Sequence, residues 1–299
     1  MNNRAAYTYA FLAALLWGST AAAVELLGIK LNSIQILFYT SFIASISLFA
    51  IASYNQKLTI IKSYKLNDYF RFAYMSFFGV FLYYTLLYAA LQQAPGQEAF
   101  VVNYTWPIWV IVFAVLILKE NFNINKLLAI ILGFVGVVII VSKGNINNVN
   151  FGEFHGNILA LLAAISYGLF SVFSKRNNDD KVTSTMFYYV FAFIFVGLFI
   201  LFFSSLPLPT LKETFGLLWL GVLTSGLAFV FWQLALKNGD TSKVSNLIFI
   251  TPFISLIYLA ILTNEKILLS SVIGAALIVS GLVFQSLKTK KIIDKSELV

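Results

Sequence analysis

The 299-residue sequence predicts an all-α membrane protein whose ten transmembrane helices form two inverted five-helix repeats. Three observations predict it: more apolar surface than a soluble core could bury, ten long charge-free runs, and a match between the two halves of the chain. Hydrophobic residues make up 60% of the chain and charged ones 11%, with a mean hydropathy of +0.87. Lipid must take the excess.

A spanning helix needs about 20 mostly apolar residues, because the hydrocarbon core is roughly 30 Å thick and each helical residue rises about 1.5 Å. Runs without Asp, Glu, Lys or Arg fall at 5–24, 31–56, 72–97, 99–118, 127–142, 154–174, 182–211, 214–236, 244–264 and 267–287. The sixth contains His155, which is expected to be exposed. The fifth reaches helix length when Asn123 to Lys126 and Lys143 lie at the interface, where a lysine head can snorkel into the headgroups. The first run is too long for the apolar core of a signal peptide and is expected to remain as a helix. With no cysteine and one histidine, disulfides, thiolate metal sites and histidine clusters are excluded. Neither a cofactor nor a metal is expected.

The net charge of +8 reports topology rather than nucleic-acid binding. With a cytoplasmic N-terminus, sixteen of the 20 basic residues fall inside: Arg4, Lys57, Lys62, Lys65, Arg71, Lys119, Lys126, Lys175, Arg176, Lys181, Lys237, Lys243, Lys288, Lys290, Lys291 and Lys295. Only Lys30, Lys143, Lys212 and Lys266 fall outside. This is the positive-inside pattern. It predicts an even number of spans and both termini cytoplasmic, in a bacterial-type cytoplasmic membrane.

Compared with itself at an offset of 145 residues, the chain matches Ala90-Leu91 to Ala235-Leu236, Pro107 to Pro252, Glu120 to Glu265 and Gly136 to Gly281. At an offset of 150, Ala10, Ala13, Ala14 and Trp17-Gly18 match Ala160, Ala163, Ala164 and Tyr167-Gly168. Five helices per half force the second half to enter from the opposite side, so the repeat is inverted. The predicted units are 1–145 and 153–290, with a cytoplasmic tail at 291–299 and a turn-rich boundary from Lys143 to Gly156. Inverted pairs can exchange roles between two conformations, each open to one side, which is the geometry of alternating access.

Ten spans, this repeat and a recurring Pro…Glu pattern resemble the drug/metabolite transporter superfamily in its ten-helix EamA-type branch. The resemblance covers essentially the whole chain. It is carried by Leu15-Leu16-Trp17-Gly18-Ser19, by Tyr104-Thr105-Trp106-Pro107 with Leu118-Lys119-Glu120, and by Thr251-Pro252 with Asn264-Glu265-Lys266. Gly133, Gly136, Gly274 and Gly281 look like the family's glycine pattern. The stretch Asn103 to Pro107 resembles the aromatic amino-acid exporter-like group, in which the fourth helix helps to line a central cavity. That resemblance implies Asn103, Tyr104 and Trp106 near substrate; the second half has Ile248, Phe249 and Thr251 at the equivalent positions, so any polar site is asymmetric. It also implies that the third and eighth helices, with Tyr83, Tyr84, Tyr88 and Trp232, line the cavity.

Trp17 lies about 20 Å along its helix from Arg4, near mid-membrane, where a buried indole wants a partner for its N–H. A wet cavity would supply one; so would packing. Tyr167 follows by symmetry. Asn103 and Asn246 are the candidate amides, so the expected binding set is Trp17, Tyr83, Tyr84, Asn103, Tyr104, Trp106, Tyr167, Trp232 and Asn246. Pro107 and Pro252 are expected to kink helix interiors as hinges or gates. Glu120 and Glu265 are expected to cap or orient the helices that follow them. Glu25 and Glu98, at the outer helix ends, are candidates for coupling, with a solvated helix end as the plainer account.

No Asp, Glu, Lys or Arg lies centrally in any span, so a buried proton relay is not evident. The inferred site suits a neutral or zwitterionic organic molecule. The leading reading is therefore a transporter and not an enzyme: an exporter of small metabolites such as amino acids, partnered by lipid and a small-molecule substrate, as a monomer or homodimer. An importer or exchanger of a nucleotide-derived metabolite or nucleotide sugar would want basic residues mid-span. An intramembrane enzyme would need a catalytic cluster, and a channel a continuous polar pore.

Overall fold

The computed structural model describes residues 3–26, 31–119, 122–145, 151–175, 177, 179–238 and 247–286. Eight helices there are long and apolar enough to cross a membrane: α1 (Arg4–Leu26), α2 (Ser33–Tyr54), α3 (Leu66–Gln93), α4 (Gly96–Leu118), α5 (Ile124–Val141), α6 (Phe154–Ser174), α7 (Lys181–Phe203) and α8 (Leu211–Ala235). Two shorter apolar helices follow, α9 (Ile248–Thr263) and α10 (Leu269–Phe284). No strand occurs among the described residues. The protein is an all-α, multi-pass membrane protein, and its large exposed side chains, among them Phe134, Leu201 and Phe202, are apolar surface for lipid to cover. Glu120, Asn246 and the 291–299 tail lie outside the described residues.

Polar side chains fix where helices start, by satisfying backbone N–H groups that have no partner in the first turn. Before α2, Asn32 Oδ1 accepts from the Gln35 N–H at 3.0 Å while Gln35 Oε1 accepts from the Asn32 N–H at 2.9 Å. Thr210 and Glu213 make the same reciprocal pair before α8. Asn123 caps α5, and Asp180 caps α7 through the Val182 and Thr183 N–H groups. Stops recur as well: α4 and α9 end in left-handed residues, Lys119 (φ 55°) and Asn264 (φ 57°), at equivalent places in the two halves.

Several helices are irregular: α1 is interrupted at Ser19 and α9 widens near its end at Leu259–Thr263, while other irregularities come in pairs. α3 widens to a π-helical stretch at Phe77–Leu82, and α8 at Trp219–Leu227. α4 breaks between Asn103 and Trp106, and α9 tightens to a 3-10 turn at Ile248–Ile250. Pro107 and Pro252 sit in the first turn of the helices that resume after these points. This corrects the expectation of prolines interrupting helix interiors. In a first turn the missing N–H costs nothing, and the direction changes just before the proline.

A π stretch leaves carbonyls off the regular ladder, and side chains from the neighbouring helix reach them. Trp17 Nε1 on α1 donates to the Thr224 carbonyl of α8 at 3.1 Å. Ser166 Oγ on α6 donates to the Phe78 carbonyl of α3 at 2.7 Å. α1 packs on α8 and α9, and α6 on α3 and α4, so each half is completed by a helix of the other.

The α5–α10 pair crosses closely. A Cβ on Gly136 would stand 2.8 Å from the Gly274 carbonyl, and one on Gly281 would stand 3.0 Å from the Ala129 carbonyl. The absence of side chains there lets the backbones touch. At one end of α3, ion pairs join the halves: Lys57–Asp180 at 2.5 Å and Arg71–Asp179 at 2.7 Å. Burial opposes ionisation of Asp180, but the Lys57 ammonium and the N–H groups at the start of α7 outweigh it and hold the carboxyl below its usual range.

Two outcomes follow. Gly136→Leu should destabilise the protein by about 1–3 kcal/mol through overpacking, seen as a lower thermal midpoint in detergent, whereas Gly197→Ala, whose nearest neighbour would be 3.5 Å away, should leave it unchanged. Because the Asp180 carboxyl is lower in the folded state, its stabilisation is present above the unfolded value of about 3.9 and is lost as pH falls through the folded one. Asp180→Asn should flatten the acid limb of a pH-dependent melting series relative to the unaltered chain.

Candidate functional site

The broken stretches of α4 and α9 border one central cavity, whose space totals about 700 Å³ including its open mouth. One wall comes from α3, α4 and α6: Tyr83, Tyr84, Leu87, Phe100, Asn103, Tyr104, Trp106 and Tyr167. The other comes from α1, α8 and α9: Trp17, Thr20, Trp232, Ile248 and Thr251. Eight of the nine side chains expected at a binding site from the sequence are thus brought together, and Asn246, the ninth, is outside the described residues. Tyr88 is not in the lining; it is 1% exposed and packs in the core.

The rings form two groups. Trp106 stands edge-on to Tyr167 at 5.1 Å, Tyr167 lies 4.7 Å from Tyr83, and Tyr83 lies 4.7 Å from Tyr84. On the facing wall Trp17 and Trp232 are 6.1 Å apart. The walls meet where the Tyr104 hydroxyl donates to the Ile248 carbonyl, a bond between the two irregular stretches.

Polar capacity in the cavity is limited and partly committed. Asn103 is 2% exposed; its Nδ2 donates to the Tyr83 hydroxyl at 3.2 Å, and its Oδ1 has no partner among the described residues. Trp17 has spent its N–H on Thr224, so the indole contributes its face and not a donor. None of the described lining residues carries a formal charge. Such a site recognises by shape, aromatic faces and a few hydrogen bonds.

A second cavity, lined by Gly79, Val80, Phe170, Thr185, Tyr188, Tyr189, Thr224, Ser225 and Phe229, shares Trp17, Tyr84 and Tyr167 with the first. Those three rings are the partition. Tyr84 is held from behind by Tyr189, whose hydroxyl donates to it at 3.3 Å.

Thr20, Leu87, Phe100, Ile248 and Thr251 were not among the expected set. Ile248 and Thr251 stand at the repeat positions of Asn103 and Trp106, and Thr20 is a turn beyond Trp17, so offset and helical period carried the signal. Leu87 and Phe100 look like any lipid-facing residue in sequence.

The carboxylates differ from expectation. Glu98 is no solvated helix end: it is fully buried, accepts from Asn157 Nδ2 at 3.1 Å and lies 3.5 Å from Lys143 Nζ. Glu265 does not cap α10. Gln97 takes that place, its Oε1 accepting the Leu268 N–H at 2.8 Å, while Glu265 accepts from Gln97. Glu25 is exposed at the end of α1.

Against known proteins, a model of the EamA-like transporter family matches residues 4–142 and 154–287. The uncharacterized transporter YoaV of Bacillus subtilis (strain 168) is 26% identical over 275 residues, spanning 90% of this chain and 92% of its own. The aromatic amino acid exporter YddG of Ancylobacter novellus is 23% identical over 215 residues, 71% of this chain and 75% of that one. One solved crystal structure superposes with a TM-score of 0.68 at 22% identity, covering 94% of this chain and 98% of the other, a likeness of fold.

Trp17→Phe keeps a ring on the cavity wall but removes the bond to Thr224. It should lower stability by about 1 kcal/mol, measured as a fall in the thermal midpoint that Trp232→Phe does not reproduce.

Proposed function

The chain belongs to the EamA-like transporter family, and from that premise we propose that it exports small neutral or zwitterionic metabolites, such as amino acids, by alternating access. It works in a bacterial-type cytoplasmic membrane with both termini inside, and its halves, 1–145 and 153–290, are inverted copies. The observation that carries the substrate reading is the central cavity: walled by aromatic rings with a few hydrogen-bonding groups, and free of charge among its described lining.

Support for alternating access comes from the paired irregularities. The break in α4 and the 3-10 turn in α9, and the π stretches in α3 and α8, stand at equivalent positions around the two cavities, and each is a place where backbone direction can change. The similarity to an aromatic amino acid exporter favours amino acids within this class. A nucleotide sugar would call for basic side chains against its phosphates, which the described lining does not offer.

Asn103, Tyr83, Trp106 and Tyr167 are the proposed substrate contacts, with Trp17, Tyr84, Tyr104 and Trp232 completing the walls. Pro107 and Pro252 hold the helices that pivot at the breaks. Counterflow in proteoliposomes preloaded with unlabelled amino acids should accumulate labelled phenylalanine or threonine, and Trp106→Ala should cut the initial rate roughly tenfold, equivalent to about 1.4 kcal/mol. A folded protein that accumulates only the nucleotide sugar, or nothing, overturns the amino-acid reading.

A further inference from the structure

At the end of α3 away from the ion pairs, one buried side chain ties the halves together. Gln97 is 3% exposed. Its Nε2 donates to Glu265 Oε1 at 2.8 Å and to the Lys266 carbonyl at 3.0 Å, and its Oε1 accepts from the Leu268 N–H at 2.8 Å. Both ends of the amide are committed, so its orientation is fixed. The three bonds run from the start of α4 to the segment that joins α9 to α10.

Beside it, Gly96 is bare where two carboxylates approach. A Cβ there would stand 3.1 Å from Glu25 Oε2 and 3.5 Å from Glu265 Oε2. Glu25 arrives from the end of α1, and Glu265 Oε2 is buried with no hydrogen-bond partner among the described residues. The start of α4 favours one negative charge, but a second ionised carboxylate at the same place is opposed by the first and by burial. Among the described residues, the other charged groups nearby do not relieve this. Glu98 turns away to Asn157 and Lys143, Lys266 and His155 are exposed, and α10 has no ionisable residue.

Resting on the alternating-access reading above, we propose that Glu25, Glu265 and Gln97 form a proton-binding gate, closed while the carboxylate pair holds one proton and released when both are ionised. Opening withdraws Gln97 and Gly96 from the pair, admits water, and passes that proton to the solvent on this side. No other bond is made or broken in the step. Burial pushes the Glu265 carboxyl above its ordinary value, the Gln97 bond pulls it partly back, and the Glu25 charge raises it further. Acid therefore favours the closed face, and rising pH favours the open one.

The chain has no cysteine, so spin labels can be placed at will. Leu262→Cys on α9 and Ile158→Cys on α6, both exposed, report the width of this face by double electron–electron resonance on the full chain in lipid nanodiscs. In the otherwise unaltered chain, a longer-distance component should grow at least twofold as pH rises from about 4.5, near the ordinary glutamate value, to about 8. Glu25→Gln and Glu265→Gln, which mimic the protonated pair, should each keep the short distance throughout, and Gln97→Ala should show the long component at every pH. A distribution indifferent to pH, or one that titrates unchanged in both glutamine variants, overturns the gate. The measurement needs no substrate, so failed amino-acid counterflow with an intact pH response would remove the substrate reading and leave the gate standing.

Discussion

A helix in lipid has no water to satisfy its backbone, so every N–H and C=O must be bonded within the helix or against other protein. The rest of this structure depends on that constraint. It favours irregular backbone where other protein surrounds it, and the π stretches of α3 and α8, the break of α4 and the 3-10 turn of α9 all border the cavities. It also explains what the neighbouring side chains do. Trp17 and Ser166 reach the carbonyls Thr224 and Phe78 that the widened turns leave available, so the helices that cross the halves are the ones that make the irregularities tolerable. A cavity in the middle of the bundle and a bond from α1 to α8 are two results of one requirement.

Much of this was legible in the sequence because lipid makes the code coarse. Charge-free runs of about 20 residues mark spans without any knowledge of packing, and the 145-residue offset links Asn103 with Ile248 and Trp106 with Thr251 without coordinates. What was not legible was anything decided by partner geometry. A π stretch such as Phe77–Leu82 has the composition of ordinary helix. Glu98 reads as a helix end until Asn157 and Lys143 close over it. Gln97, the most heavily bonded side chain at its face, has no signature in sequence, since one more polar residue beside Pro95 and Gly96 looks like loop chemistry.

Membrane packing also explains why the glycines matter where they do. Lipid tails are as apolar as the helices, so no hydrophobic gain drives α5 against α10 as it would in water. Close contact must supply the attraction through dispersion, and that needs backbones in touch. Gly136 faces Gly274 and Gly281 faces Ala129, which are the same pair of contacts exchanged between the halves. The crossing is therefore symmetric to the level of single residues.

Symmetry of backbone and asymmetry of side chains serve different ends on the proposed reading. Exchange between two conformations of similar energy requires that the halves bend alike, and the paired breaks, stops and first-turn prolines meet that requirement in main-chain terms. Holding one ligand in one orientation requires the opposite. At the paired positions Asn103 corresponds to Ile248, Tyr104 to Phe249 and Trp106 to Thr251. An amide, a phenol and an indole in one half thus take the places of an aliphatic chain, a plain ring and a hydroxyl in the other. The hydroxyl that distinguishes Tyr104 from Phe249 is the group that bonds Ile248 across the cavity. A sequence that kept the repeat's geometry but equalised these three pairs would preserve the capacity to move and lose the means of telling one end of a substrate from the other.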